Sequence, residues 1–571
     1  MATEVVPRPR PTEWVVVGAV TAAFAIVLLL WAALVPAFQA PDERAHFDAA
    51  VHVAIGDGWP DPGDLRTLQA VEDASAATDR DALPTMGDLL ASTGAAETDT
   101  VDQMTQHPPT YYLVAAGVLH AVHFESLTPD AAVLAVRLLG ALFVLPLPFL
   151  AWATVRRVTR SARAGVVGAF AVLAVPELAS IGASVSNDSP VILFAATTVW
   201  LAVRVLTGDA RTRTAVALAV SLGVAILWKG TALPLIPFVA VALLVGAVPR
   251  AGVGPRLLRT LWVLVVAAVI GAWWWLRNLL VFHTLQPNGF SSLRPPKPFP
   301  TGTGPDPAAF ADVSWSTIAR TFWGSFGGRA QWILSPVVFE TATVLALGAV
   351  LIWGFRRAPG LRVAITLAVL PLTIFVMQTS NAWGSYTSTT FIGATQGRYY
   401  FPAMLAFIAL SAIAWRRALG TMAGHRRFST VVSALAAGLA VYALLFTYGS
   451  IAEHSRIRVT PRGLDLLAGS TPAPVWSLVT GWVVACVLLA VAVVLSRRVP
   501  SAAPAPVVTT APEPAPGPEH GHEHEHEPRR DGGAEPAPRT DGGAEPDPRL
   551  DGTAEPEPHS ELSHDRGAFP A

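Results

Sequence analysis

The chain is short of charge, of lysine and of cysteine. Only 14% of its 571 residues are Asp, Glu, Lys or Arg, and 52% are hydrophobic, whereas soluble domains carry about 25% charged residues. No water-facing surface accommodates that much apolar area, so a soluble globular protein, a coiled coil and a wholly disordered chain are excluded. The single cysteine, Cys486, rules out any intrachain disulfide, and the loops must be held by packing. Two lysines stand against 38 arginines. These bases lie in short clusters between apolar runs, unlike the continuous basic stripe of a nucleic-acid binder. No Walker loop, dinucleotide fingerprint or nucleophile elbow stands in a strand–helix setting, so chemistry driven by ATP is not indicated.

What the chain has in abundance is apolar runs of about 17–25 residues, the length that crosses a bilayer. Twelve such runs predict membrane spans: 14–36, 131–154, 164–182, 188–206, 213–228, 231–249, 257–276, 337–355, 361–379, 399–415, 428–449 and 474–496. The fifth and sixth are short and border a break at Lys229-Gly230. The first is longer than the apolar region of a secretory signal and reads as an uncleaved anchor.

The formal charge of −1 hides a segregation. Residues 37–107 hold 14 acids against 3 arginines, residues 499–571 hold 15 against 5, and the remainder holds 12 against 32 bases. If residues 108–122 lie along the membrane surface as an interfacial helix, the tight arginine clusters between spans share one side, as the positive-inside rule requires. Both termini are then cytoplasmic. Residues 1–13 form a short cytoplasmic N-terminus, 14–498 the membrane domain, 37–130 a large extracytoplasmic loop and 277–336 a second one. From residue 499 the chain is low-complexity, with 15 prolines and a ten-residue repeat marked by Asp531, Asp541 and Asp551. It cannot bury a core and is expected to be a disordered cytoplasmic tail. The alternating histidines His520 to His526 have poor spacing for a metal site.

Polar residues near the spans gather on the outer side. Asp42 and Glu43 follow the first span directly, and Asp42 is the favoured base; the plainer reading is two acids opening a surface helix. His46 shares their helical face, which leaves a divalent metal open, although no third ligand stands nearby. Arg398 and Arg277 are candidates for gripping a phosphate with a guanidinium fork, or else aromatic-belt anchors beside Tyr399 and Trp275. Lys229 lies at a helix break that could bind an anion, or it snorkels to the surface. Asp188 follows Asn187, which reads as a helix cap. His107 opens the interfacial helix. Arg137, inside the second run, needs an acid or a carbonyl as partner. Acids on one wall and cations on another suit a reaction in which a hydroxyl loses its proton while an anion departs.

The order of these motifs resembles a known pattern. Pro41-Asp42-Glu43-Arg44-Ala45-His46-Phe47, then His107-Pro108-Pro109-Thr110-Tyr111-Tyr112, an arginine in the next span, Asn187-Asp188, and Gln396-Gly397-Arg398-Tyr399 look like a bacterial multi-pass family catalogued only as a domain of unknown function. That family is in turn similar to the GT-C superfamily of membrane glycosyltransferases, which includes protein mannosyltransferases and the aminoarabinose transferases of lipid A. The resemblance implies an all-α integral membrane protein, a GT-C-like bundle of about 12 transmembrane helices in the bacterial plasma membrane. It implies an inverting transfer of a sugar from a polyprenyl-phosphate donor to an envelope glycan, lipid or protein, with or without a metal. Asp42 would activate the acceptor, Glu43 would position it or share that role, the His107 segment would form part of the pocket floor and Arg398 would hold the lipid phosphate. A lipid-linked-sugar transporter or flippase, an O-antigen-ligase-like enzyme and a non-catalytic envelope scaffold remain the alternatives. A transporter predicts polar groups at mid-membrane depth and inverted repeats.

Overall fold

The computed structural model describes residues 9–500 except 78–82, 247–251, 288, 290–294, 329–330, 357–359, 394 and 454–457. The proline-rich tail and its histidines from residue 501 lie outside the described residues. Each of the twelve apolar runs carries helix among its described residues. Among the described residues nine helices are long and apolar enough to cross a membrane, or ten if one bent pair counts as a single span. The difference from twelve lies in the runs flanking Lys229. Helix Thr212–Ile226 has 15 residues, about 22 Å at 1.5 Å per residue, less than the ~30 Å apolar thickness of a bilayer. The segment Gly230–Val245 is similarly short.

Proline sets most breaks. The first helix, Pro11–Leu34, opens on proline, whose missing N–H is not needed there, and Glu13 accepts a hydrogen bond from the Arg10 amide at 3.0 Å. It stops where Pro36 forces Val35 into extended backbone. Pro146 divides Pro129–Val144 from Leu147–Thr159. Pro176 bends Ala162–Leu173 against Pro176–Gly182 by 63°. Glycine permits close approach where helices meet. A Cβ on Gly165 would sit 2.8 Å from Arg156 Cβ, and one on Gly168 2.8 Å from Val155 Cγ2, so these glycines let Ala162–Leu173 lie on Leu147–Thr159.

The acidic segment after the first helix is folded. Helices Glu43–Ala54, Gln69–Ala76 and Met86–Thr93 surround a strand pair, Arg66–Leu68 antiparallel to Glu97–Val101. Helix Thr110–Ala121, the predicted interfacial helix, has 12 residues. It packs on Glu43–Ala54 through the buried rings of Tyr111 and Tyr112. The second long connection is also structured: it carries helix Pro307–Trp323 and the strands Ser325–Phe326 and Trp332–Ile333. These two connections, together with the ends of helices that meet them, position the polar residues considered next.

Candidate functional site

Two adjacent acids, Asp42 and Glu43, have opposite fates. Asp42 is the N-cap of Glu43–Ala54, in the left-handed region at φ 56°, and its side chain caps no backbone N–H. Asp tolerates this backbone better than most residues. Its carboxylate Oδ2 instead accepts from Arg398 Nη2. It lies deep among neighbouring atoms, yet 42% of the side chain remains reachable by solvent, which places it on the floor of a crevice. Burial alone would raise its pKa, but the charge and hydrogen bond of Arg398, aided by the Lys229 charge, hold the carboxyl well below the usual carboxylate range. Asp42 is therefore charged throughout the physiological range.

Glu43 is buried and saturated. Arg137 Nε donates to Oε1 at 2.7 Å and Nη2 to Oε2 at 2.6 Å. The amides of Val185 and Ala40 donate to the same carboxylate at 3.2 and 3.4 Å. The other donors of Arg137 reach the carbonyls of Ala32, Val35 and Pro36 at 2.7, 2.5 and 2.9 Å. This knot ties the end of the first helix to Pro129–Val144 and fixes the backbone at Asp42. The expectation that Glu43 shares in catalysis is revised accordingly, because its oxygens are occupied by Arg137 and backbone amides.

Arg398 reaches Asp42 because its own segment is clamped. Gly397 lies so close to Phe322 N and Ile318 O that no side chain fits there. Its amide donates to Thr321 Oγ1 at 2.7 Å, and Gln378 Nε2 donates to the Gln396 carbonyl at 3.0 Å. Arg398 is 5% exposed, and its Nε and Nη1 make no hydrogen bond to any described residue. Its guanidinium lies over the Tyr399 ring at 5.8 Å.

The remaining wall comes from Asp188, Lys229, His46 and His107. Lys229 Nζ donates to Asp188 Oδ1 at 2.8 Å, and Ser186 Oγ accepts from the Asp188 amide at 3.1 Å. His46 Nδ1 and the Tyr112 hydroxyl are 3.0 Å apart. Burial pushes the His46 imidazole down to about 3, reinforced by the Lys229 ammonium. His107 is likewise lowered well below the ordinary histidine value, by burial and then by Lys229, and its Nδ1 has no partner among the described residues. Both imidazoles are neutral at pH 7.

The structure also departs from the sequence reading. Arg277 is not brought to this cluster: it donates to Asp61 Oδ1 at 2.8 Å and lies over Trp274 at 5.2 Å and Phe282 at 5.3 Å, half-exposed. Asn187 makes no cap bond. It is fully buried, and neither its amide oxygen nor its nitrogen has a partner among the described residues. Glu177, unremarked in the sequence, is 2% exposed, accepts from the Ser325 amide at 2.8 Å and lies within electrostatic reach of Arg398. Its only sequence signal is an acid directly after the proline that interrupts a span.

The donors around Asp42 do not form a metal cage. Glu43 faces Arg137, and His46 faces Tyr112. Among the described residues, the three side chains near enough to hold an ion together are His52, Asp57 and Glu97, on the loop domain. Beside them, Asp48 and Asp102 face each other. Their Oδ1 atoms accept from the Leu68 and Met104 amides at 2.9 and 2.8 Å. Burial raises both carboxyls, Asp102 to about 7, and the Asp102 charge adds to the rise at Asp48.

The crevice therefore combines a charged base, a cation with two nitrogens unpartnered among the described residues, and neutral imidazoles in a partly buried setting. Among solved structures, the chain is similar to ArnT from Cupriavidus metallidurans bound to undecaprenyl phosphate, at 18% identity and a TM-score of 0.43, covering 85% of this chain and 78% of that one. It is also similar to the Archaeoglobus fulgidus oligosaccharyltransferase AglB in complex with an inhibitory peptide and a dolichol-phosphate, at 11% identity and a TM-score of 0.36. There 86% of this chain matches 56% of that one, so the chain spans little more than half of AglB. No curated protein matches the sequence. The family of predicted membrane proteins DUF2142 matches residues 24–407. The chain belongs to that family.

Proposed function

We propose that the protein is a membrane glycosyltransferase, moving a sugar from a polyprenyl-phosphate donor to a cell-envelope acceptor on the extracytoplasmic side of the bacterial plasma membrane, with both termini cytoplasmic. The observation that carries this reading is the Asp42–Arg398 pair: an ionised base with solvent access, held by a buried guanidinium whose Nε and Nη1 have no partner among the described residues.

Asp42 takes the proton of an acceptor hydroxyl as its oxygen attacks the anomeric carbon of the donor sugar. The bond from that carbon to the phosphate oxygen breaks, and the electron pair leaves with the polyprenyl phosphate. Arg398 accommodates the developing charge through Nε and Nη1, with Lys229 nearby as a second cation. Attack opposite the leaving group inverts the anomeric centre. Asn187 offers both a donor and an acceptor to sugar hydroxyls, and His107 and Tyr399 complete the wall. Asp188 holds Lys229, and His46 holds Tyr112, so these two act by positioning. Arg277 serves the rim of the loop. No metal is required by this scheme.

The test is mass spectrometry of envelope glycans and lipid-linked sugars from a deletion strain complemented with wild type or Asp42→Asn. Loss of one sugar with accumulation of its polyprenyl-phosphate donor, restored by wild type alone, is expected. Full restoration by Asp42→Asn overturns the assignment of the base and favours the transporter or scaffold alternatives.

A further inference from the structure

An apolar cavity lies away from Asp42. It measures about 650 Å³, within the size range of ligand sites. Its walls come from Ala162–Leu173, Pro307–Trp323, Pro336–Ala349, Leu361–Thr389, Met404–Ala418 and Met422–Tyr448, through residues such as Ala171, Phe322, Ala346, Leu372 and Phe407. One end is marked by Tyr400, two residues beyond Arg398. The other is lined by Arg163, Arg416 and His425.

That second end carries an excess of positive charge. Arg163 is 5% exposed. Its Nη2 donates to the Arg497 carbonyl at 2.8 Å, but its Nε has no partner among the described residues. Arg426 lies within electrostatic reach of Arg163. No acid pairs with Arg163, Arg416 or Arg426 among the described residues. Other arginines of the cytoplasmic clusters are neutralised: Arg156 by Glu13 at 2.7 Å, and Arg204 and Arg211 by Asp209 at 2.7 and 2.8 Å. The helices Ala162–Leu173 and Met422–Tyr448 both start here, with Ser161 and Thr421 as N-caps, adding the positive ends of two helix dipoles. A buried guanidinium without a counter-ion beside an apolar cavity is costly unless an anion joins it.

We infer that this end of the cavity binds the phosphate of an anionic phospholipid from the cytoplasmic leaflet, gripped by Arg163 and Arg416, with an acyl chain in the cavity. Charge complementarity identifies the headgroup, and the apolar walls identify the chain. The site is separate from Asp42 and stands whether or not the transferase reading holds.

The experiment uses the full-length protein in neutral detergent. Its thermal transition is followed on titration with dioleoylphosphatidylglycerol, dioleoylphosphatidylcholine, undecaprenyl phosphate and inorganic phosphate, and co-purified lipid is identified by native mass spectrometry. Phosphatidylglycerol should raise the transition at least tenfold more potently than phosphatidylcholine, because a ligand that binds only the folded state stabilises it. Arg163→Gln combined with Arg416→Gln should abolish that preference, whereas Arg362→Gln, on the exposed surface, should keep it. If the double variant does not fold, Ala346→Phe narrows the cavity with the arginines intact and should weaken the lipid response tenfold. Equal responses to both phospholipids overturn the inference. So does a response to inorganic phosphate as strong as that to phosphatidylglycerol, loss of the undecaprenyl phosphate response together with the phosphatidylglycerol response in the double variant, or an unchanged preference in the double variant and in Ala346→Phe.

Discussion

The knot around Glu43 and the crevice around Asp42 begin at neighbouring residues and use the same chemistry, a carboxylate against an arginine from a distant helix. They differ in what is left over. Every donor group of Arg137 is engaged, by Glu43 or by the carbonyls of residues 32, 35 and 36. Arg398 keeps Nε and Nη1 without partners among the described residues, and Asp42 keeps solvent access. A saturated buried pair fixes geometry; an unsaturated one at a crevice floor is available for binding and chemistry. Arginine in a membrane protein thus does structural or chemical work according to how many of its five donors the fold consumes.

The comparison can be broken most severely at the knot. Arg137→Ala leaves Glu43 buried without its counter-ion, and breaking such pairs costs about 3–5 kcal/mol; the variant should fail to accumulate as a monodisperse protein in detergent gel filtration. A well-folded Arg137→Ala that loses only transfer would mean that the knot belongs to the active site. Next in size, Asp42→Asn should retain the wild-type thermal transition and lose transfer by about 10²–10⁴-fold, the span of general-base catalysis.

Arg398→Gln sharpens the contrast through pH. Arg398 is the principal cause of the lowered Asp42 pKa, so the wild-type rate should show no acid limb from Asp42 between pH 5 and 8. In the variant burial prevails, the carboxyl titrates higher, and an acid limb should enter that window on top of a lower plateau. A limb of equal midpoint in both proteins would assign the titration to another group. Asn187→Ala removes an amide with no hydrogen bond to any described residue. Its thermal transition should move little, while transfer falls by about tenfold through lost substrate hydrogen bonding.

The smallest effect is expected at Asp102. Its folded pKa is raised to about 7, so the folded state holds a proton that the unfolded chain releases near pH 4. Stability from this pair is full below that value and is lost as pH rises through about 7. Asp102→Asn mimics the protonated acid, and its melting temperature should fall less than that of wild type between pH 5 and 8.

Much of this was legible along the chain. Run lengths locate the helices because a bilayer demands them, and Pro36, Pro146 and Pro176 mark where they end or bend. The need of Arg137 for a buried partner also follows from composition, since a charge in an apolar helix must be matched. Asp42, Arg398, Lys229 and Asp188 stand out as polar groups at helix ends. Asn187 was misread because capping is a local rule: it stands at the N-cap position, yet its buried amide makes no cap bond. Glu177 was overlooked because a single acid in an apolar run has no periodicity to flag it. Arg277 looked equivalent to Arg398 because both are arginines beside aromatics near a helix end; only Asp61, more than two hundred residues earlier, separates them.

Sequence by itself determined that the protein is a helical membrane protein with its acidic and arginine-rich segments kept apart, because transfer from water to hydrocarbon is a property each segment carries alone. Tertiary structure decided which acid meets which arginine, that Glu43 is consumed while Asp42 is not, and that Arg163 and Arg416 share the end of a cavity with no acid paired to them among the described residues. Those outcomes depend on contacts between residues as far apart as 42 and 398, and no local rule reaches across that distance.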